Sequence, residues 1–410
     1  MIPNRYQNAY VVLSNHIRTN VVKARFWMYL VIFLQFPWHS RVGDDWPNSQ
    51  ISKYMQWRYG DMNVEMFFVM VWSSIKEWMD GQGRFFPVAA LQNQIILTSF
   101  RTDKSLAIFY GVFFCVTLAI WVRVIEKVYN NKTIGTIFLL SSLIFIRFRN
   151  DFEPHIGFAQ LVIWSFFWSA LAMLLLIMSI DTKSIRYPTD WAAALVYLLA
   201  LCQYELAILF LPTIIIFLSL AFQIRNQFKL SKLIAKIYPT IATTMCYLLF
   251  VFLYLRPKAN PSGNYVTGFS IPESIKTFYT TVPASLPFMG VNMKEIFLLP
   301  NSSNMKLVFL VLAMIVILFI GKYFKSNPLN GNSDIHGNNR FIVYPLSTKL
   351  KFMSLLSMFP LILGPSLILS IQPNWWGYFD FGHTYLGVFY SEIGLATLCA
   401  VYFFRGKKEK

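Results

Sequence analysis

Leu106 to Val122 reads LAIFYGVFFCVTLAIWV, a run without a single charged residue. Such a run has no polar face to turn toward water, and it approaches the roughly 20 apolar residues that cross a hydrocarbon core. A second run, KLVFLVLAMIVILFIGKYF from Lys306 to Phe324, reaches that length. Similar runs recur along the chain, too many to fill one globular interior. Composition agrees, with 56% of the 410 residues hydrophobic, 18% aromatic and only 13% charged, where a soluble domain carries about a quarter charged. This excludes a soluble enzyme.

The pattern predicts an all-α integral membrane protein with about ten transmembrane helices, residues 1–410 forming a single polytopic domain. The expected spans are 22–38, 105–125, 133–148, 161–180, 191–203, 206–224, 238–256, 305–321, 350–371 and 384–404. The fifth and sixth are separated only by Gln203-Tyr204-Glu205, which requires a tight hairpin or one broken helix. Pro212, Pro239, Pro360 and Pro365 fall within or at the ends of spans, where neighbouring helices can satisfy the carbonyls that proline frees. Cys115, Cys202, Cys246 and Cys399 all lie in apolar runs at no metal-ligand spacing and read as small packing residues. The N-terminal stretch lacks the compact basic head and small-residue cleavage site of a signal peptide, so the first run is expected to remain as a helix.

The net charge of +17 raises the question of nucleic acid. The basic residues instead sit beside the apolar runs, where they set membrane orientation, and nucleic acid is not an expected partner. With ten spans, the side carrying both termini and alternate loops has 22 Lys and Arg against 5 Asp and Glu, and the other side has 14 against 13. The positive-inside rule makes the first side cytoplasmic. Segment 322–349, rich in Asn and Gly, reads as a flexible cytoplasmic loop. The outer side has two long segments, 39–104 and 257–304.

The outer segments concentrate the chemistry. HSRVGDDWPNSQ places Asp44 and Asp45 side by side just beyond the first span; such a pair either holds a cation, faces a base or does acid–base work, or forms a solvated turn before Pro47. Within NVEMFFVMVWSSIKEWMDGQGRFFP, Met66, Phe67, Met70, Val71, Ile75 and Trp78 follow helical spacing. Glu65, Lys76, Glu77 and Asp80 crowd the same length, so an interfacial helix is expected rather than a span. Gly81 and Gly83 then free the backbone around Arg84, whose setting suits a phosphate or a lipid-headgroup anchor.

Arg147, Arg149, Asp151, Glu153 and His155 share the short outer loop RFRNDFEPHIGF. Tyr204 and Glu205 mark an apolar hairpin tip, where a carboxylate needs a partner; Glu205 either pairs structurally with Arg147 or Arg149 or takes part in catalysis. Trp375, Trp376, Tyr378, Asp380, His383 and Tyr385 stand at the mouth of the last span. Aromatic rings beside carboxylates suit a sugar, whose apolar faces stack while its hydroxyls bond the acids.

These features resemble the GT-C class of polytopic glycosyltransferases, which use polyprenyl-phosphate-linked sugars. The resemblance rests on GDDW (Asp44, Asp45) in the long outer loop after the first span, surface helices in that loop, and the following GQGRFFP. It also draws on Tyr204-Glu205 at an outer helix junction and on GHTYLGVFY before the last span. Within the class the chain is similar to bacterial O-antigen-modifying serotype glucosyltransferases. The resemblance implies a bacterial inner-membrane enzyme with its site facing the periplasm, moving sugar from the lipid-linked donor to an envelope glycan or lipid-linked acceptor. By the same resemblance Asp44 or Asp45 is the base, alone or with a divalent cation such as Mg or Mn. Arg84, with Arg149 or Arg256, neutralises the donor phosphate, and Tyr204, Glu205, Asp151, Glu153, His155, Trp375, Trp376, Asp380, His383 and Tyr385 bind substrate. A Wzy-like O-antigen polymerase and a transporter or flippase are the alternative readings; a transporter places its ionisable groups near the midplane, where only Glu392 qualifies.

Overall fold

The computed structural model describes residues 22–36, 64–100, 103–146, 159–180, 187–259, 270–285, 348–371, 376 and 388–403. Every regular element among them is a helix. In chain order these are α1 (22–33), α2 (Val64–Gln82), α3 (Pro87–Ser99), α4 (Asp103–Tyr129), α5 (Lys132–Phe145), α6 (Ala159–Met178), α7 (Tyr187–Gln203), α8 (Phe210–Ile224), α9 (Leu230–Leu249), α10 (Ile271–Thr281), α11 (Thr348–Ser370) and α12 (Val388–Phe403). A 3₁₀ turn, Glu205–Leu209, leads into α8, and a π turn, Phe250–Leu255, extends α9.

Among the described residues five helical stretches are long and apolar enough to cross a membrane: Lys104–Tyr129, Ala159–Met178, Glu205–Ile224, Leu230–Leu255 and Thr348–Ser370. The protein is therefore an all-α, membrane-embedded chain. Helices also cover most of the expected spans 22–38, 133–148, 191–203 and 384–404, whereas 305–321 lies outside the described residues, as do the 322–349 loop up to its last two residues and most of 257–304. The 14-residue α5 is only about 21 Å long, short of a hydrocarbon core of about 30 Å. It packs between α4 and α12, so protein rather than lipid covers much of it.

Polar contacts fix which helix ends lie together. Near the start of α1, Arg25 bonds the Lys132 carbonyl and Thr136 Oγ1 at the start of α5. It also pairs with Glu126 near the end of α4 at 2.6 Å, a carboxylate shared with Arg123. Arg225, just past α8, donates to the Lys127 carbonyl at 2.8 Å. Lys236 in α9 pairs with Asp190 of α7 at 3.0 Å and bonds Ser179 beyond α6. All of these lie at one basic end, and the buried carboxylates Glu126 and Asp190 are held there by cations, as burial demands.

The Gln203-Tyr204-Glu205 junction is a tight reversal. α7 ends at Gln203, Tyr204 is extended, and the chain turns straight into the 3₁₀ segment. Tyr197 donates to the Ala207 carbonyl at 2.7 Å, a reach impossible along a straight helix rising 1.5 Å per residue. One of the two prolines in α11 also finds its compensation. Pro365 leaves the Leu361 carbonyl without its helical donor, and Ser391 of α12 donates to Leu361 and to Ile362 at 3.2 and 2.8 Å.

The first long loop does contain helices. α2 buries Val71 and Ile75 against Ala90 of α3, and Met70 is buried as well, as their spacing predicts, while Phe68, Val69 and Trp72 are exposed. Its four charges keep it out of the group apolar enough to span.

Candidate functional site

The end opposite the basic one gathers four of the expected site residues. α2 stops at Gln82 because Gly83 takes a left-handed φ of +62°, a conformation favouring glycine. Gly83 N–H then reaches the Met79 carbonyl and Arg84 N–H the Trp78 carbonyl, both at 3.0 Å, which satisfies two orphan acceptors of the helix end. A Cβ at Gly83 would stand only 3.1 Å from both Arg256 Cα and Ala259 Cβ. The close backbone approach thus sets the loop of Arg84 against the segment after α9.

The Arg84 guanidinium forms an ion pair with Glu205. It lies over the Phe86 ring at 4.4 Å, with Trp78 at 5.2 Å and Tyr204 at 5.9 Å from their centroids. Three aromatic rings around one cation provide quadrupole attraction where water is scarce. The Arg84 side chain is 12% exposed and that of Glu205 41%, so Glu205 is the more open member of the pair. Among the described residues Glu205 Oε2 is buried without a hydrogen-bond partner, leaving an acceptor beside the cation. Glu205 thus finds a partner in the first loop; Arg147 and Arg149, the arginines expected beside it, lie outside the described residues.

Arg256 arrives by a different device. The π turn Phe250–Leu255 ends in an i→i−5 bond from Arg256 N–H to the Val251 carbonyl at 2.9 Å. Such turns recur at functional sites because they rotate the residues that follow. Arg256 stacks over Phe252 at 4.5 Å and Lys258 over Tyr254 at 3.5 Å. Both rings are about half exposed, so these cations cover open aromatic faces near Gly83, in the manner of long side chains whose stems lie along apolar surface.

Trp376 has a structural bond, its indole N–H donating to the Ser370 carbonyl at the end of α11 at 2.8 Å. Asp44, Asp45, Arg149, Asp151, Glu153, His155, Trp375, Asp380, His383 and Tyr385 lie outside the described residues. So does any cation site built on Asp44 and Asp45. Among the described residues no three His, Cys, Asp or Glu side chains group as metal ligands.

Two tyrosines escape the sequence reading. Tyr247 of α9 donates to the Phe85 carbonyl at 3.4 Å and lies within electrostatic reach of Glu205 and Arg84. Tyr390 of α12, fully buried, shares a hydrogen bond with Ser165 of α6 and lies within reach of Tyr204 and Glu205. Neither stands out in sequence, since a tyrosine in an apolar helix carries no periodic mark; the phrase GHTYLGVFY ends on Tyr390, but its loop residues draw the eye. The assembled site offers a cation, a carboxylate oxygen and aromatic faces at an apolar boundary, a setting that suits an anionic headgroup carrying a hydroxylated ring. No family model, curated protein or solved structure matches the chain significantly.

Proposed function

We propose that the protein is a membrane glycosyltransferase of GT-C type, moving a sugar from a polyprenyl-phosphate donor to an envelope glycan or lipid-linked acceptor. The observation that carries this reading is the Arg84–Glu205 ion pair, ringed by Trp78, Phe86 and Tyr204. A phosphate entering from the bilayer meets Arg84 and, from the lipid-facing flank, Arg256. The sugar's hydroxyls meet Glu205 Oε2 and its apolar faces meet the rings. Catalysis in this reading comes from positioning and charge stabilisation in a partly dry site, with Asp44 or Asp45 as the base toward the acceptor, alone or with a divalent cation. The membrane is the bacterial inner membrane, with the Arg84 end facing the periplasm and the basic end in the cytoplasm.

The test is reconstitution of the purified protein in lipid nanodiscs with labelled polyprenyl-phosphate sugar and envelope glycan acceptors. Transfer of one sugar with release of polyprenyl phosphate supports the reading. Chain growth on lipid-linked repeat units moves it to a Wzy-like polymerase. One observation favours a transporter: Glu392 is fully buried in α12, as ionisable groups of transport pathways are. Sugar flux across proteoliposomes without transfer would decide for that alternative.

A further inference from the structure

Beside the ion pair the chain buries a second polar group, one without charge. Gln203 closes α7, and its Nε2 donates to the main-chain carbonyl of Gln160 at the start of α6. Gln203 and Gln160 are 0% and 2% exposed, yet among the described residues the Oε1 atom of each lacks a hydrogen-bond partner. α3 packs against both α6 and α7 and carries Gln92-Asn93-Gln94 within an otherwise largely apolar helix. Gln92 Oε1 and Asn93 Oδ1 are likewise buried and unpartnered among the described residues. Four carboxamide acceptors from three neighbouring helices thus stand unmet, where buried polar atoms are nearly always paired.

Donors and ring faces accompany them. Trp164 and Trp168 follow Gln160 at four and eight residues and so share its helix face. Among the described residues their buried indole N–H groups also lack partners, and the Trp164 ring packs on Phe113 at 3.8 Å between centroids. Hydroxyls both donate and accept, and the C–H faces of a sugar stack on indole. Acceptors, donors and aromatic faces without charge match a neutral, polyhydroxylated ring and offer a phosphate no countercharge.

We propose that the α3/α6/α7 junction, centred on Gln160 and Gln203, is the subsite for the sugar ring, a reading that rests on the glycosyltransferase assignment above. Gln203 immediately precedes Tyr204 and Glu205, so a ring held here adjoins the ion pair that faces its phosphate.

The experiment compares binding of polyprenyl phosphate and of polyprenyl-phosphate glucose to the full-length protein in nanodiscs by calorimetry. Wild type binds the sugar-bearing lipid about tenfold more tightly, the gain expected from one or two neutral hydrogen bonds. Gln203→Leu and Gln160→Leu, made separately, lose that increment and keep the affinity for polyprenyl phosphate. Gln203→Leu also removes the bond to the Gln160 carbonyl. The Gln160→Leu variant deletes no side-chain bond among the described residues and so carries the test if Gln203→Leu does not fold. If a folded variant keeps the full increment, water satisfies these oxygens and the subsite is overturned while the glycosyltransferase reading stands. If wild type binds neither lipid, that reading falls and the subsite with it.

Discussion

The phenol of Tyr197 and the main-chain carbonyl of Ala207 close a hydrogen bond of 2.7 Å across the reversal between α7 and the 3₁₀ turn. Both groups are fully buried, and Tyr197→Phe leaves the carbonyl only the Phe210 N–H as donor. The expected loss is about 0.5 to 1.5 kcal/mol of stability, read as a lowered thermal midpoint in detergent. Tyr204 and Glu205 ride on this reversal, so weaker donor binding should accompany it. An unchanged midpoint would show that the turn is held by packing alone.

Arg84 and Glu205 should be coupled in a double-mutant cycle. Arg84→Ala, Glu205→Ala and the double variant, compared by chemical denaturation, are expected to give an interaction energy of about 1 to 2 kcal/mol. That is less than the roughly 3 to 5 kcal/mol lost on breaking a fully buried pair, because solvent screens the partly exposed carboxylate. Additive effects would mean the pair contributes no net stability.

Gly83→Ala and Gly81→Ala make a matched comparison. Alanine at Gly83 requires the left-handed φ of +62° and drives a methyl to 3.1 Å from Arg256 Cα, for a loss of about 1 to 3 kcal/mol. At Gly81, in the last turn of α2, nothing lies within 4 Å, and alanine should stabilise by up to about 1 kcal/mol. Equal effects in thermal unfolding would contradict the close approach of the two backbones.

Orientation is checked by cysteine labelling with an impermeant maleimide. Lys258→Cys, beside Arg256, should label in intact cells. Lys229→Cys, in the turn between α8 and α9, should label only after permeabilisation, as the 22-to-14 bias of basic residues requires. The reverse pattern would place the Arg84 site on the cytoplasmic face.

Asp44→Asn and Asp45→Asn should lower sugar transfer by roughly 10² to 10⁴-fold, the contribution of a general base, with donor binding kept and the larger effect at Asp44. Arg84→Ala should instead raise the donor concentration needed for half-maximal rate, since a phosphate contact already acts in the ground state. Near-normal turnover of the double asparagine variant would remove the acidic pair from the chemistry.

Much of this architecture was legible because lipid imposes simple rules. An uncharged run such as Leu106 to Val122 has one stable outcome, and α4 extends it to Tyr129. The resemblance grouped Arg84 with Arg256, and the apolar setting of Glu205 called for a cation beside it; the fold joins the segments of all three. The identity of Glu205's partner was not legible: Arg84, Arg147 and Arg149 are chemically equal there, and only the packing of α3 on α7 distinguishes them. The four carboxamides were invisible for a related reason. One glutamine in an apolar helix lowers hydropathy slightly, and nothing in spacing says that Gln92, Gln160 and Gln203 belong to neighbouring helices.

The π turn at Phe250–Leu255 makes length a coded quantity. Each residue advances a regular helix by roughly 100°, so the same residues wound without the wide turn would carry Arg256 about a quarter turn from Gly83. The turn absorbs one residue: a single deletion within it would restore regular winding and leave Arg256 in register, whereas the same deletion in a regular turn would change its direction.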